Sequence, residues 1–168
     1  MDADAHSDEK AVLLEYLDGQ REHVLGIVEG LSEEDMRQAV LPSGWNCVGL
    51  VQHLALDVER WWFWRVMAGE TDESWSEVED GWQVSPDTPA YEVLELYRRE
   101  CERATSVIAE TSLDAAPAWW PQEVFGEWRL DNFRQLMMHV ITETATHAGH
   151  LDAVRELIDG RTWLVLDG

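Results

Sequence analysis

Three histidines and a glutamate crowd one segment, His139, Glu143, His147 and His150, and imidazole with carboxylate is the donor set of divalent-metal and proton-transfer sites. At about 100° per residue of helix the four fall within less than a quarter-turn of one another. Glu143 and His147 are four residues apart, one helical turn, so the two can grip a single ion. Two side chains do not complete a site. The third ligand expected is His53, which stands on another long helix beside its buried stripe. Three protein ligands leave coordination positions open to water or substrate, the mark of a reactive centre rather than a closed structural one. The mixed donors suit Zn²⁺, with Ni²⁺, Fe²⁺ or Mn²⁺ as alternatives. His139 and His150 flank the pair and are the candidate catalytic residues: either can replace Glu143 as a ligand, orient a ligand, or move a proton. Each taken alone reads equally well as a polar surface residue. A solvated stripe, however, is more naturally built from Glu, Lys and Arg than from three imidazoles.

The elements that must position these residues are helices. The segment from Asp131 to Ile158 repeats Leu136, Met137, Val140, Thr144, Leu151, Val154 and Ile158 at helical spacing, with Asp131 as its cap and Gly160 just past its end. A first helix runs from a Ser7 cap to about Glu29 on Leu13, Tyr16, Leu17, Val24 and Ile27. His23 on it reads as a structural, partly exposed residue. Ser32 to Asp35 is a further capping signal before the turn Pro42-Ser43-Gly44. The second long helix spans about Asn46 to Met67, with Val51, Leu54, Ala55, Val58 and Trp62 as its core stripe and the aromatic cluster Trp61 to Trp64 as a possible pocket wall. Between Glu70 and Asp87 no period survives, and Trp75 and Trp82 in this connection are placed to fold over a site. Thr88 caps a third long helix with Pro89 in its first turn, and Leu94, Tyr97, Cys101, Ala104 and Ile108 form its stripe. A connection rich in Trp, Pro and Gly precedes the last helix.

These elements define an all-α chain, a single domain over residues 1–168. With 12 Lys plus Arg against 34 Asp plus Glu, the net charge is −22, which argues against nucleic-acid and anionic-membrane partners. No apolar run reaches the length of a membrane span and the N-terminus lacks a secretory pattern, so a cytoplasmic location is expected. Cys47 and Cys101 are isolated and read as reduced thiols. Ten Trp residues fit either an aromatic core or a roomy pocket. A homodimer is expected on base rate alone.

The segment MMHVITETATHAGHLDAVRELIDG resembles the last-helix motif of the DinB/YfiT-like superfamily, in particular its mycothiol-dependent, actinobacterial branch, and GLVQHLALDVERWWF resembles that superfamily's second-helix motif. The resemblance implies a four-helix bundle of up-down-down-up topology with long inter-helix loops. It further implies a divalent metal held by His53, position 143 and His147. Most relatives carry histidine where this chain has Glu143, but mycothiol-dependent maleylpyruvate isomerase is similar in using a His, Glu, His set. The activity implied is transfer of a low-molecular-weight thiol, mycothiol, to a small electrophile, or isomerisation of that electrophile. A metal bound to a thiol keeps it as the nucleophilic thiolate at neutral pH. Two other readings remain open at this point: a hydrolase using metal-bound hydroxide, and a non-catalytic ligand-binding or stress-related bundle.

Overall fold

A computed structural model describes residues 2–70 and 81–163, with side chains from residue 8 onward. Among these residues every regular element is helical. Helix α1 spans Asp2–Val28, and a short α2, Glu33–Arg37, follows it. Helix α3, Cys47–His53, continues without a break into π-helical winding over Leu54–Met67. Helix α4 is Ala90–Glu110, α5 is the single turn Gln122–Phe125, and α6 is Phe133–Asp159. No helix among the described residues is long and apolar enough to cross a membrane.

The four long rods pack as two principal pairs, α1 on α6 and α4 on the π-helical segment, with α3 and the π-helical segment also meeting α6. Leu17, Val24, Ile27, Leu54, Phe63, Tyr97, Leu136 and Leu151 are completely buried between them. Burial of each such side chain contributes on the order of 1.5–3 kcal/mol, which makes this shared apolar face the main force holding the rods together. On α6 Leu136, Met137, Val140, Thr144, Leu151 and Val154 of the expected stripe are buried, Ile158 is only partly so, and Phe133, Ala148 and Arg155 join them. Thr144 satisfies its hydroxyl inside the core by donating to the Val140 carbonyl at 2.8 Å.

Helix starts depart from the expectations at three places. Helix α1 is already helical at Asp2, so Ser7 lies within it instead of preceding it. Helix α4 begins after Pro89 rather than being capped by Thr88, because Glu33 of α2 reaches across and accepts the Ala90 N–H at 2.8 Å. Asn132, not Asp131, caps α6 by accepting the Gln135 N–H at 3.0 Å. At the other end Gly160 closes α6 in the left-handed conformation, φ 79°, as its position suggests.

Charged residues take core positions that a hydrophobic pattern does not reveal. Arg21 forms two parallel bonds to Glu59, 2.7 and 2.6 Å, and both groups are buried. Glu100, also buried, accepts from Arg60 at 2.8 Å. Arg155 donates to the carbonyls of Ile27 and Glu29, tying the end of α1 to α6. Tyr16, expected on the α1 stripe, is exposed.

Candidate metal centre and its two clefts

The polar flank of α6 meets the junction between α3 and the π-helical segment. Their backbones carry His147 and His53 to a ring-centre separation of 5.0 Å, edge to face. One turn before His147, Glu143 places Oε2 at 3.4 Å from the His147 Nε2. The carboxylate of Asp57, one turn beyond His53, accepts from its Nδ1 at 2.8 Å. That bond fixes the tautomer, leaving Nε2 as the ring's remaining donor atom, the arrangement in which a carboxylate orients a ligating histidine. Burial pushes the His147 imidazole below its ordinary pKa, with the neighbouring His53 acting in the same direction and Glu143 against it. The ring is therefore held neutral, as a ligand must be.

Among the described residues no group of three or more His, Cys, Asp or Glu side chains is arranged so that it could hold a metal ion. The donor chemistry nevertheless suits a divalent ion. Two atoms each about 2.1 Å from one tetrahedral ion lie about 3.4 Å apart, and 3.4 Å is the Glu143 to His147 spacing, longer than a direct charge-assisted hydrogen bond. His53, His147 and Glu143 are the three expected ligands, and they line one cleft wall together.

The two flanking histidines part company. His150 is exposed and sets its Nδ1 3.4 Å from the His147 Nδ1, with its ring 6.2 Å from that of Trp45. His139 lies two turns before His147, about 12 Å along the axis, and packs against Trp62 at 4.6 Å and Trp128 at 5.5 Å. Burial lowers its pKa, opposed by Glu143, so His139 is a neutral imidazole in an aromatic corner. It shares a cleft of about 550 Å³ with His53, Glu143 and His147; Trp61, Trp62, Val124 and Phe125 form much of the remaining wall. Trp61 and Trp62 therefore do line a pocket. Phe63 instead enters the core against Phe133, and Trp64 stacks under the Arg103 guanidinium.

Trp82 covers the cluster from the other side. Its indole stacks on His53 at 4.3 Å with the planes 20° apart and meets His147 at 5.7 Å. The Gln52 amide holds this strap, donating to the carbonyls of Gly81 and Gln83 at 3.0 Å each. Close approach requires glycine at position 49, where a Cβ would stand 2.4 Å from the Trp82 carbonyl; a Cβ on Gly81 would stand 2.1 Å from the Asp57 Oδ2 and force that carboxylate to move. Trp75 lies outside the described residues. The sequence reading assigned no role to Asp57 or Trp45; for Asp57 the signal was its i+4 spacing from His53.

His23 has the structural place expected of it, paired with Asp152 at 2.8 Å and stacked on Trp163. Cys47 is buried, its thiol pushed up to about 11, and Cys101 is raised further by burial beside Glu59, so neither is a thiolate.

The protein is an all-helical bundle with an imidazole–carboxylate cluster on the wall of an aromatic cleft. The chain belongs to the mycothiol-S-transferase family, which matches residues 12–160 and lies in the DinB-like, mycothiol-dependent branch. Nothing among curated proteins or solved structures matches it.

Proposed function

We propose that this protein is a metal-dependent thiol S-transferase of the up-down-down-up bundle type, joining mycothiol to a small electrophile. The observation that carries the reading is the convergence of His53, Glu143 and His147 at one wall of the aromatic cleft in a chain of this family. His53, Glu143 and His147 are the residues that would hold a divalent ion, Zn²⁺ being the best match to two imidazoles and a carboxylate. When bound, the ion supplies the charge that keeps a substrate thiol deprotonated at neutral pH.

The chain's own residues supply the rest. Asp57 orients His53 through the Nδ1 hydrogen bond, and Trp82 shields the cluster by lying on the His53 ring. The apolar wall of Trp61, Trp62 and Phe125 receives the electrophile and excludes water. In the transfer the sulfur forms a bond to the electrophilic carbon as the displaced bond breaks, its electron pair leaving with the halide of a haloarene or staying on the ring oxygen of an epoxide, which then takes up a proton. The thiol proton goes to a neutral imidazole or to solvent. His139, neutral and within the cleft, and His150, beside His147, are the two imidazoles placed to carry that proton. Because such chemistry needs a reduced thiol pool, the reading also places the protein in the cytoplasm.

The test is consumption of mycothiol by purified, Zn²⁺-loaded protein in the presence of a panel of haloarenes and epoxides. Turnover that stops with chelator and with His147→Ala supports the reading. Hydrolysis of an ester or amide without any thiol would replace it with the hydrolase alternative.

A further inference from the structure

A second cleft shares Trp82 with the cluster. It lies beyond Trp82, on the side away from the aromatic pocket, with a volume of about 370 Å³ and a lining of Ser43, Gly44, Trp45, Asn46, Trp82, Gln83 and Val84. Its chemistry is the opposite of its neighbour's. Two indoles sit beside hydroxyl, amide and backbone groups, and no lining residue is charged. The Asn46 side chain is committed to capping α3 and to the Arg37 carbonyl, so the Ser43 hydroxyl and Gln83 amide are the side-chain polar groups that remain to meet a ligand. Trp45 lies beside His150, and Trp82 touches both His53 and His147, so the two tryptophans that line this cleft separate it from the imidazoles by the thickness of a ring.

We propose that this polar two-tryptophan cleft binds the uncharged sugar portion of the thiol cosubstrate, while the aromatic cleft takes the electrophile, the two meeting at His53 and His147. Aromatic faces pack against the C–H faces of sugar rings, and neighbouring amides and hydroxyls bond their oxygens. Mycothiol carries its cysteine thiol on a glucosamine–inositol unit whose amines are acylated, so a cleft without charge suits it. An anionic thiol such as a glutamyl peptide would find no cation among these lining residues. The inference rests on the S-transferase reading for the identity of the cosubstrate, but the cleft's preference for a neutral polyol stands on its lining.

The probe is N-acetylglucosaminyl-inositol, which has the sugar unit and no thiol. Titrated into the whole protein with chelator present and followed by calorimetry and tryptophan emission, it is expected to bind saturably. Trp45→Ala and Gln83→Arg should each weaken it at least about tenfold, with Trp45→Phe restoring most of the affinity. The same variants should raise the KM for mycothiol and leave that for N-acetylcysteine unchanged. Gln83 is exposed, so Gln83→Arg decides the matter should Trp45→Ala not fold. No binding of the sugar probe, or binding that survives both Trp45→Ala and Gln83→Arg, overturns the proposal even where mycothiol is turned over. Trp45-dependent sugar binding with no turnover of any thiol keeps the cleft and overturns the S-transferase reading instead.

Discussion

His53 and His147, carried by different helices, meet edge to face with ring centres 5.0 Å apart, and Trp82 touches both. No short-range contact brings them together; the packing of α3 against α6 does. If they share an ion, protein made without an affinity tag and grown with Zn²⁺ will hold it, and elemental analysis of His53→Ala or His147→Ala will find it reduced to background. Full retention of metal in His147→Ala would refute the site.

Asp57 should act on the metal through His53. Asp57→Asn keeps the size of the side chain and removes the carboxylate that fixes the His53 tautomer, so affinity for Zn²⁺ is expected to fall about 10- to 100-fold. Gly81→Ala should produce a similar loss without touching either residue, because its Cβ would displace the Asp57 carboxylate. Competition with a zinc-binding dye measures both; unchanged affinity in Asp57→Asn means that His53 is not held this way.

The Arg21 to Glu59 pair makes a stability prediction independent of chemistry. Arg21→Met leaves Glu59 buried without its partner, which costs about 3–5 kcal/mol. Adding Glu59→Leu removes the stranded charge and should recover most of the loss. Urea denaturation of the single and double variants reads this directly, and a double variant no more stable than the single would contradict it.

Acidification should weaken the fold through His139. Its folded pKa is lowered by burial, so the unfolded chain takes up a proton at the ordinary value of about 6.5 while the folded chain resists it. The stability this represents is complete above that pH and is lost as pH falls through it towards the lowered value. His147 contributes with the same sign. Between about pH 7.5 and 5, His139→Gln should therefore lose less stability than the parent protein. Equal slopes would show that His139 is not desolvated as described.

The α6 stripe, its glycine stop and the polar flank beside it follow from 3.6-residue periodicity, and they appear where the spacing puts them. Capping was legible only where it is local. Asn132 and Ser32 satisfy their own helices, but the start of α4 depends on Glu33 from another element. Burial of Glu59 and Glu100 was hidden because a carboxylate enters a core only with a partner, and the partners Arg21 and Arg60 are distant in sequence. The difference between His139 and His150 was equally invisible. Both share the α6 flank, and only the tryptophans contributed by other segments make one a cleft residue and leave the other exposed.

The helix that carries His53 changes its winding one residue after that histidine and keeps the wider spiral for 14 residues, where such turns are ordinarily short and isolated. Its phase is therefore set by length as much as by side-chain type. Deleting one residue between Leu54 and Glu59 would let the segment relax towards α-helical winding, and each later side chain would rotate by about 100°. Glu59 would turn away from Arg21, and Trp62 away from His139. Substitution can vary the aromatic wall one residue at a time, but a change in chain length here would rearrange the core and the cleft together, so this stretch can be inherited or engineered only as a block of fixed length.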